Sequence, residues 1–434
     1  MKTGWLAVAT LLAAPVPLRG QDSGSAPVGV RVGITYAPGS RPSIAVLPVA
    51  AAALDSARTV LLRDLDYSDR FEVLTPPAGV AMRGGVPNYP ALTALGTDLA
   101  VSVAAGGGPG EVDVQLHEVR TGTVRNHLSL QLPAGGEALR LAVHRVADEV
   151  VRWATGSPGI AATTLMFVSD GRLWRVAPDG AGLANVPAAG RPTLSPAWSP
   201  DGRTIAYTAF VPGGRPLVLQ DLSSGSREVV PGTEYGVNIT PEFSPDGRRL
   251  AYAHGDENGT DVYLYDVARR CCVTRLTVGR YYDNLSPTWS PDGQRLAFIS
   301  SRAGSPQLYV MSADGSNQEA LARFDFGSTG QSNGPAWSPD GQAIAFHREV
   351  AGVPQVFVVD LATRAVRQIT GEGRNEDPSW APDGRHLAFS STRGGVRQLW
   401  IVDLDTGRMR PLAATAGGRL PAWSPHRNYF TEAR

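Results

Sequence analysis

A short phrase returns six times in the second half of the chain: an aromatic residue, then Ser or Ala, then Pro, five times completed by Asp-Gly. The copies are Trp198-Ser199-Pro200-Asp201-Gly202, Phe243-Ser244-Pro245-Asp246-Gly247, Trp289-Ser290-Pro291-Asp292-Gly293, Trp337-Ser338-Pro339-Asp340-Gly341, Trp380-Ala381-Pro382-Asp383-Gly384 and the truncated Trp423-Ser424-Pro425. Their aromatics fall 45, 46, 48, 43 and 43 residues apart. A period near 45 residues fits one four-stranded propeller blade.

The turn chemistry explains the phrase. Proline presets φ, Asp supports the turn through its side chain, and Gly takes the φ > 0 position, so the chain reverses into a second strand. In the third copy, residues 295–299 and 307–311 read as the following strands, Ala313-Asp314-Gly315 as the next turn, and residues 319–321 as a weak outer strand. The same layout recurs in each copy, and a blade that cannot bury both faces alone must stack on its neighbours.

Ring closure follows from the two incomplete ends. Nine residues follow Pro425, too few for a blade, while residues 164–168, 172–176 and 178–180 match the later strands and turn of a repeat that lacks its leading phrase. The carboxy-terminal strand is therefore expected to pair with this segment, closing a six-bladed all-β propeller over residues 160–430 and removing open sheet edges.

Residues 41–157 have a different period and read as a small α/β domain. Residues 43–47 form a buried-type strand, and residues 51–65 a helix carrying Leu54, Ala57, Val60, Leu61 and Leu65 on one face. Residues 111–116 and 126–132 alternate as strands do. A second helix over residues 137–153 aligns Leu139, Ala142, Val143, Val146, Ala147 and Val150, and Ser157-Pro158-Gly159 ends it.

At the amino terminus, Met1-Lys2, an apolar stretch from Trp5 to Val16 and the small residue Gly20 read as a secretory signal over residues 1–26, with cleavage near Gly20 or Ala26. The stretch is too short for a bilayer, which needs ~20 apolar residues. The mature protein is expected to be exported, soluble and free of direct membrane insertion. With 40 basic and 40 acidic residues the formal charge is zero, which argues against a nucleic-acid partner.

Catalytic and metal chemistry find little support. Gly330-Gln331-Ser332-Asn333-Gly334 matches the nucleophile-elbow pattern, but that pattern needs a strand before and a helix after it, and this stretch reads as a loop feeding the strand at Ala336-Trp337. The seven His residues have no His-Glu-x-x-His spacing, and His347 and His386 are read at strand ends. No enzyme, metal or cofactor is expected. Cys271-Cys272 is either a strained vicinal bridge or two thiols in an outer strand beside Val273, and both readings stay open.

The domain order, the opening run Arg41-Pro42-Ser43-Ile44-Ala45-Val46-Leu47-Pro48 and the ending Pro421-Ala422-Trp423-Ser424-Pro425 together resemble the TolB family, periplasmic propeller proteins of the Tol-Pal system. The resemblance implies a periplasmic, monomeric, non-enzymatic protein supporting outer-membrane integrity and its invagination during cell division. It further implies that the mouth of the propeller channel binds Pal, the peptidoglycan-associated lipoprotein. The segments entering the first strand of each blade converge there, and they place Leu194, Ser195, Tyr235, Asn238, Thr240, Asp283, Asn284, Ser286, Ser332, Asn333, Glu376, Asp377 and Leu420 at the rim. An extended amino-terminal arm over residues 27–40, with Val28, Val30, Val32, Ile34 and Tyr36 alternating, would engage the periplasmic domain of TolA by strand addition. Two other classes remain: an exported propeller binding a carbohydrate or small ligand, and a peptidase-type propeller without its hydrolase domain.

Overall fold

The computed structural model describes residues 41–49, 54–321 and 330–426. The arm and signal therefore lie outside the described residues.

Six four-stranded sheets form the propeller, each antiparallel, and five of them are ordered in sequence from the inside outwards. Five begin with a strand ending at the repeated aromatic: Thr193–Trp198, Val237–Phe243, Asn284–Trp289, Ser332–Trp337 and Asn375–Trp380. The sixth is the closing blade. Its inner strand Arg419–Trp423 comes from the end of the chain and pairs with Leu165–Ser169, in the register Trp423 to Leu165 and Ala422 to Met166. The junction is locked by Ser424 N–H to the Thr164 carbonyl at 2.8 Å and Thr164 N–H to Ser424 Oγ at 2.9 Å. The expected closure is thus found.

Each Ser-Pro-Asp-Gly phrase is a hydrogen-bonded turn. Ser199 Oγ donates to Asp201 Oδ1 at 2.5 Å and accepts from Thr204 N–H at 2.9 Å; Ser244, Ser290 and Ser338 repeat the first bond at the same length. The aromatic that precedes the turn ties neighbouring blades together. Trp198, Trp289 and Trp380 donate their Nε1–H to the carbonyls of Ala422, Glu242 and Ala336 on the preceding blade, at 3.0, 3.3 and 2.9 Å. Between the sheets, Tyr207, Tyr252, Phe298, Phe346, Phe389 and Phe167, one from the second strand of each blade, are completely buried.

The α/β domain is a five-stranded mixed sheet, ordered Glu72–Leu74, Ser43–Val46, Leu99–Ala105, Glu111–Glu118, Thr123–Gln131, with the first two pairings parallel and the rest antiparallel. Helices Asp55–Tyr67 and Gly136–Thr155 cover it and bury Leu61, Leu65, Val143, Val146 and Val150. The first helix runs two residues beyond the expected end. The strands Glu72–Leu74 and Leu99–Ala105 are additional to those expected from the sequence; the second sits beside short Gly-rich segments that break its periodicity.

Antiparallel order puts the Asp-Gly turns at one end of the propeller and the entries of the inner strands at the other. The α/β domain packs on the turn end. Arg385 Nη2 donates to the Asp69 carbonyl at 3.0 Å, Arg408 Nη2 to Asp66 Oδ2 at 2.7 Å, and Arg63 Nη2 to Asp179 Oδ2 at 2.5 Å, while the Arg410 guanidinium lies 4.1 Å from the centre of the Tyr67 ring. The entry end is left uncovered by this domain.

Candidate functional site

The six inner strands converge on a channel of about 550 Å³. Every one of them carries the same irregularity near its entry. The register to the second strand slips by one residue at Leu194/Ala197, Ile239/Glu242, Leu285/Thr288, Asn333/Ala336, Glu376/Ser379 and Arg419/Ala422. These are β-bulges, which bend the strand and re-aim its side chains. The residue at each bulge has positive φ: Ser195 48°, Thr240 50°, Ser286 51°, Gly334 57°, Asp377 57° and Leu420 51°. A buried proline follows each of them: Pro196, Pro241, Pro287, Pro335, Pro378 and Pro421. Proline suits the site because a bulged residue needs no ladder N–H.

Two rings of side chains result. The outer ring is the positive-φ set, which turns five side chains and one bare glycine towards the channel. One step further in stand Ala197, Glu242, Thr288, Ala336, Ser379 and Ala422. The polar members of this second ring stitch blade to blade. Glu242 Oε1 accepts the Trp289 N–H at 3.0 Å and the Thr288 hydroxyl at 2.9 Å, Thr288 Oγ1 accepts the Trp337 N–H at 3.2 Å, and Ser379 Oγ accepts the Trp423 N–H at 3.0 Å.

Burial at the channel wall shifts several groups. Desolvation raises the Glu242 carboxyl to about 7, against the opposing hydrogen bonds from Trp289 and Thr288. Burial also raises Asp377 and lowers His347, so that His347 is a neutral imidazole whose Nδ1 accepts the Asp377 N–H at 3.2 Å. The channel chemistry is therefore that of a weakly charged, hydrogen-bonding wall, with no nucleophile and base brought together among the described residues.

The rim residues expected from sequence divide into three groups. Ser195, Thr240, Ser286, Asn333, Asp377 and Leu420 line the channel. Leu194, Glu376, Tyr235 and Asp283 lie outside it; Tyr235 is 79% exposed and Asp283 is also exposed, and Glu376 is held by Arg397 at 2.6 Å. Asn238, Asn284 and Ser332 are fully buried, contrary to their expected place on the rim. Their positions are on the inner strands, not in free loops, and the amides are spent on the fold. Asn238 Nδ2 donates to the carbonyls of Thr233 at 2.8 Å and Tyr235 at 3.0 Å, and its Oδ1 is 2.7 Å from His254 Nδ1. Asn284 Nδ2 donates to Asp261 Oδ1 at 2.8 Å, and its Oδ1 accepts from Arg302 Nη2 at 3.0 Å. They fix the rim from beneath. On the segment that enters the Trp289 blade, Tyr281 is 98% and Val278 69% exposed, beside the exposed charged residues Arg280 and Asp283.

Two further readings are corrected, and the cysteine reading that stood open is decided. Ser332 opens the inner strand Ser332–Trp337, rather than lying in a loop that feeds it, and its buried Oγ has no hydrogen-bond partner among the described residues. His347 sits inside the strand Ala343–Val350, not at its end, while His386 does begin its strand. Cys271 and Cys272 are joined as a disulfide.

Two signals in the sequence went unused. A second proline recurs two residues before every repeated aromatic, and it marks the bulge ring. The one repeat with Ala in place of Ser, at Ala381, binds the α/β domain through its turn. Its Asp383 gives Oδ2 to His386 Nδ1 at 2.7 Å, and His386 Nε2 reaches Asp69 Oδ2 at 3.3 Å across the domain boundary.

The family described as TolB beta propeller domain matches residues 152–328 and 322–432. Among curated relatives, the Tol-Pal system protein TolB of Xylella fastidiosa is 30% identical over 245 residues, covering 52% of this chain and 54% of the relative. The protein of the same name from Methylococcus capsulatus is 34% identical over 202 residues, covering 43% of this chain and 47% of the relative. The chain thus matches about half the length of these curated relatives. The crystal structure of TolB from Acinetobacter baumannii superposes with a TM-score of 0.78 at 27% identity, over 90% of this chain and 98% of that one.

Proposed function

The chain belongs to the TolB β-propeller family, and on that premise we propose that it is a non-enzymatic, periplasmic protein-binding component of a Tol-Pal system. On this reading residues 1–26 are an export signal, 27–40 an arm, 41–157 the α/β domain and 160–430 the propeller. Pal docks at the channel mouth, and the arm, with Val28, Val30, Val32, Ile34 and Tyr36, pairs with the periplasmic domain of TolA by strand addition. The protein works as a monomer that links the two partners, supporting outer-membrane integrity and invagination at division. Coupling between the two sites requires that Pal bind the two states of the arm with different affinity.

The observation that carries the reading is the mouth, which no other element covers among the described residues. Six bulged entries converge on one end, the α/β domain occupies the other, and Tyr235 and Tyr281 stand exposed at the rim of consecutive blades. Exposed aromatics beside a polar, hydrogen-bonding wall are the usual anchors of a protein interface. Among the described residues no helix is long and apolar enough to cross a membrane.

Calorimetric titration with the Pal periplasmic domain from the same organism tests the proposal. Saturable one-to-one binding is expected, weakened at least tenfold, or about 1.4 kcal/mol, in the double variant Y235A/Y281A. These two side chains are exposed, so their loss leaves the fold intact. Absence of binding by the folded chain would turn attention to a carbohydrate or small ligand in the channel.

A further inference from the structure

We propose that the Cys271–Cys272 pair is a reversible thiol-disulfide exchange site, read by a dithiol protein of the Cys-x-x-Cys class. This is independent of the Pal reading and rests on a different face of the molecule. The bond joins adjacent residues. A disulfide stabilises a fold mainly by closing a loop of unfolded chain, and one between neighbours closes almost none. It does not clamp the core either: neither cysteine is among the buried apolar residues. A structural role leaves the pair unexplained.

Its position fits exchange. The pair begins Cys271–Arg275, the outermost strand of the Phe243 blade, whose outer edge is unpaired among the described residues. The pairing to the neighbouring strand slips between Leu264 and Asp266, so Cys271 is held opposite Asp266 while Cys272, at φ 66°, is thrown outward. Cys272 is exposed and Cys271 half-buried. Immediately before them stand Arg269 and Arg270, whose side chains are 78% and 74% exposed. Both are ion-paired at the surface, Arg269 with Asp266 at 3.8 Å and Arg270 with Glu228 at 3.5 Å, and stay largely open to solvent. Nearby guanidinium charge favours the thiolate, the form that leaves when a disulfide opens and attacks when it re-forms.

The exchange balances as follows. The partner's thiolate attacks Cys272 Sγ, the Cys271–Cys272 bond breaks, and Cys271 leaves as a thiolate that takes up a proton. The partner's second thiol then displaces the Cys272 sulfur, which is protonated in turn. Two electrons and two protons pass to the pair, and the partner ends as its own disulfide. Nothing in the propeller core has to move.

The test uses the full mature chain and a thioredoxin-type protein whose second active-site Cys is replaced by Ser, so that the mixed disulfide is trapped. The expected result is a one-to-one covalent adduct mapped to Cys272 by peptide mass. With the unaltered dithiol protein, two thiols should appear without denaturant, and the double variant C271S/C272S should melt within about 2 °C of the parent. Three results would each overturn the proposal: thiols that appear only on unfolding, a folded protein that yields no adduct, or a double variant that melts many degrees lower.

Discussion

Positive φ at a residue with a side chain costs about 1–2 kcal/mol, yet the channel mouth contains five such residues in one ring, Ser195, Thr240, Ser286, Asp377 and Leu420. The sixth position is Gly334, where a side chain would also crowd a neighbouring imidazole. A Cβ there would stand 3.1 Å from His347 Nδ1. G334A is therefore predicted to lower stability by about 1–2 kcal/mol, measurable as a shifted urea midpoint at unchanged slope. Glu242 makes a second prediction. Its carboxyl is raised to about 7 by burial, above its unfolded value near 4.5, so the folded chain holds the extra proton between those values. Stability from this group is full below pH 4.5 and is lost as pH rises through 7. E242Q keeps an oxygen to accept from Trp289 and Thr288 but has no charge to desolvate. It should match the parent near pH 4.5 and exceed it by about 1–3 kcal/mol at pH 8; equal stabilities at both pH values would contradict this. At this scale the sequence was legible where chemistry repeats. Asn238 and Asn284 were misplaced because turn-forming and rim-forming residues are the same polar types, and only the hydrogen bonds tell them apart.

Among the elements, the repeat phrase located all six inner strands and predicted their closure, because turn residues at fixed spacing are a local signal. The bulges were missed despite an equally regular signal, the second proline before each aromatic. A proline inside a strand reads as a strand boundary, so the entries were taken for loops. The fifth repeat shows what a departure from pattern can mean. Ala381 cannot hold Asp383 as Ser199, Ser244, Ser290 and Ser338 hold their Asp residues, and the freed carboxylate bonds to His386. Burial pushes this imidazole towards neutrality, but hydrogen bonds to Asp383 and Asp69 outweigh it and raise its pKa. Replacing it by Gln removes the imidazole that bridges Asp383 and Asp69, leaving them Arg70 at 3.8 Å and Arg408 at 3.1 Å. H386Q is predicted to lower the stability of the chain by about 3 kcal/mol and to increase protease sensitivity near Tyr67. Normal stability would show that the histidine is not what joins the domains.

For the molecule as a whole, several raised groups act in the same direction, Asp377 and Asp64 among them. Asp148, which accepts the N–H groups of Ala161 and Ala162 at 2.7 and 2.9 Å and so folds the interdomain linker onto its helix, is raised to about 8 by burial. With Glu242 and His386 it favours proton binding by the folded chain, opposed below about pH 6.5 by His347, His117 and His426, which burial lowers; the two carboxyls, raised to about 7 and about 8, carry the sign above that. The thermal midpoint should accordingly be highest near pH 5–6 and decline towards pH 8, an order-of-magnitude window set by linkage; a midpoint that rises over that interval would reverse the sign. The six bulged entries, the buried amides beneath the rim and the domain docked at the far end leave one face for a partner. Hydrogen-deuterium exchange of the chain with and without the Pal periplasmic domain tests this most directly. Protection is predicted at the strand entries around Tyr235, Thr240, Tyr281 and Asp377 and not at the Asp-Gly turns or the outer strands. Protection confined to the α/β domain or the outer strands, or none at saturating Pal, would contradict a binding site at the mouth.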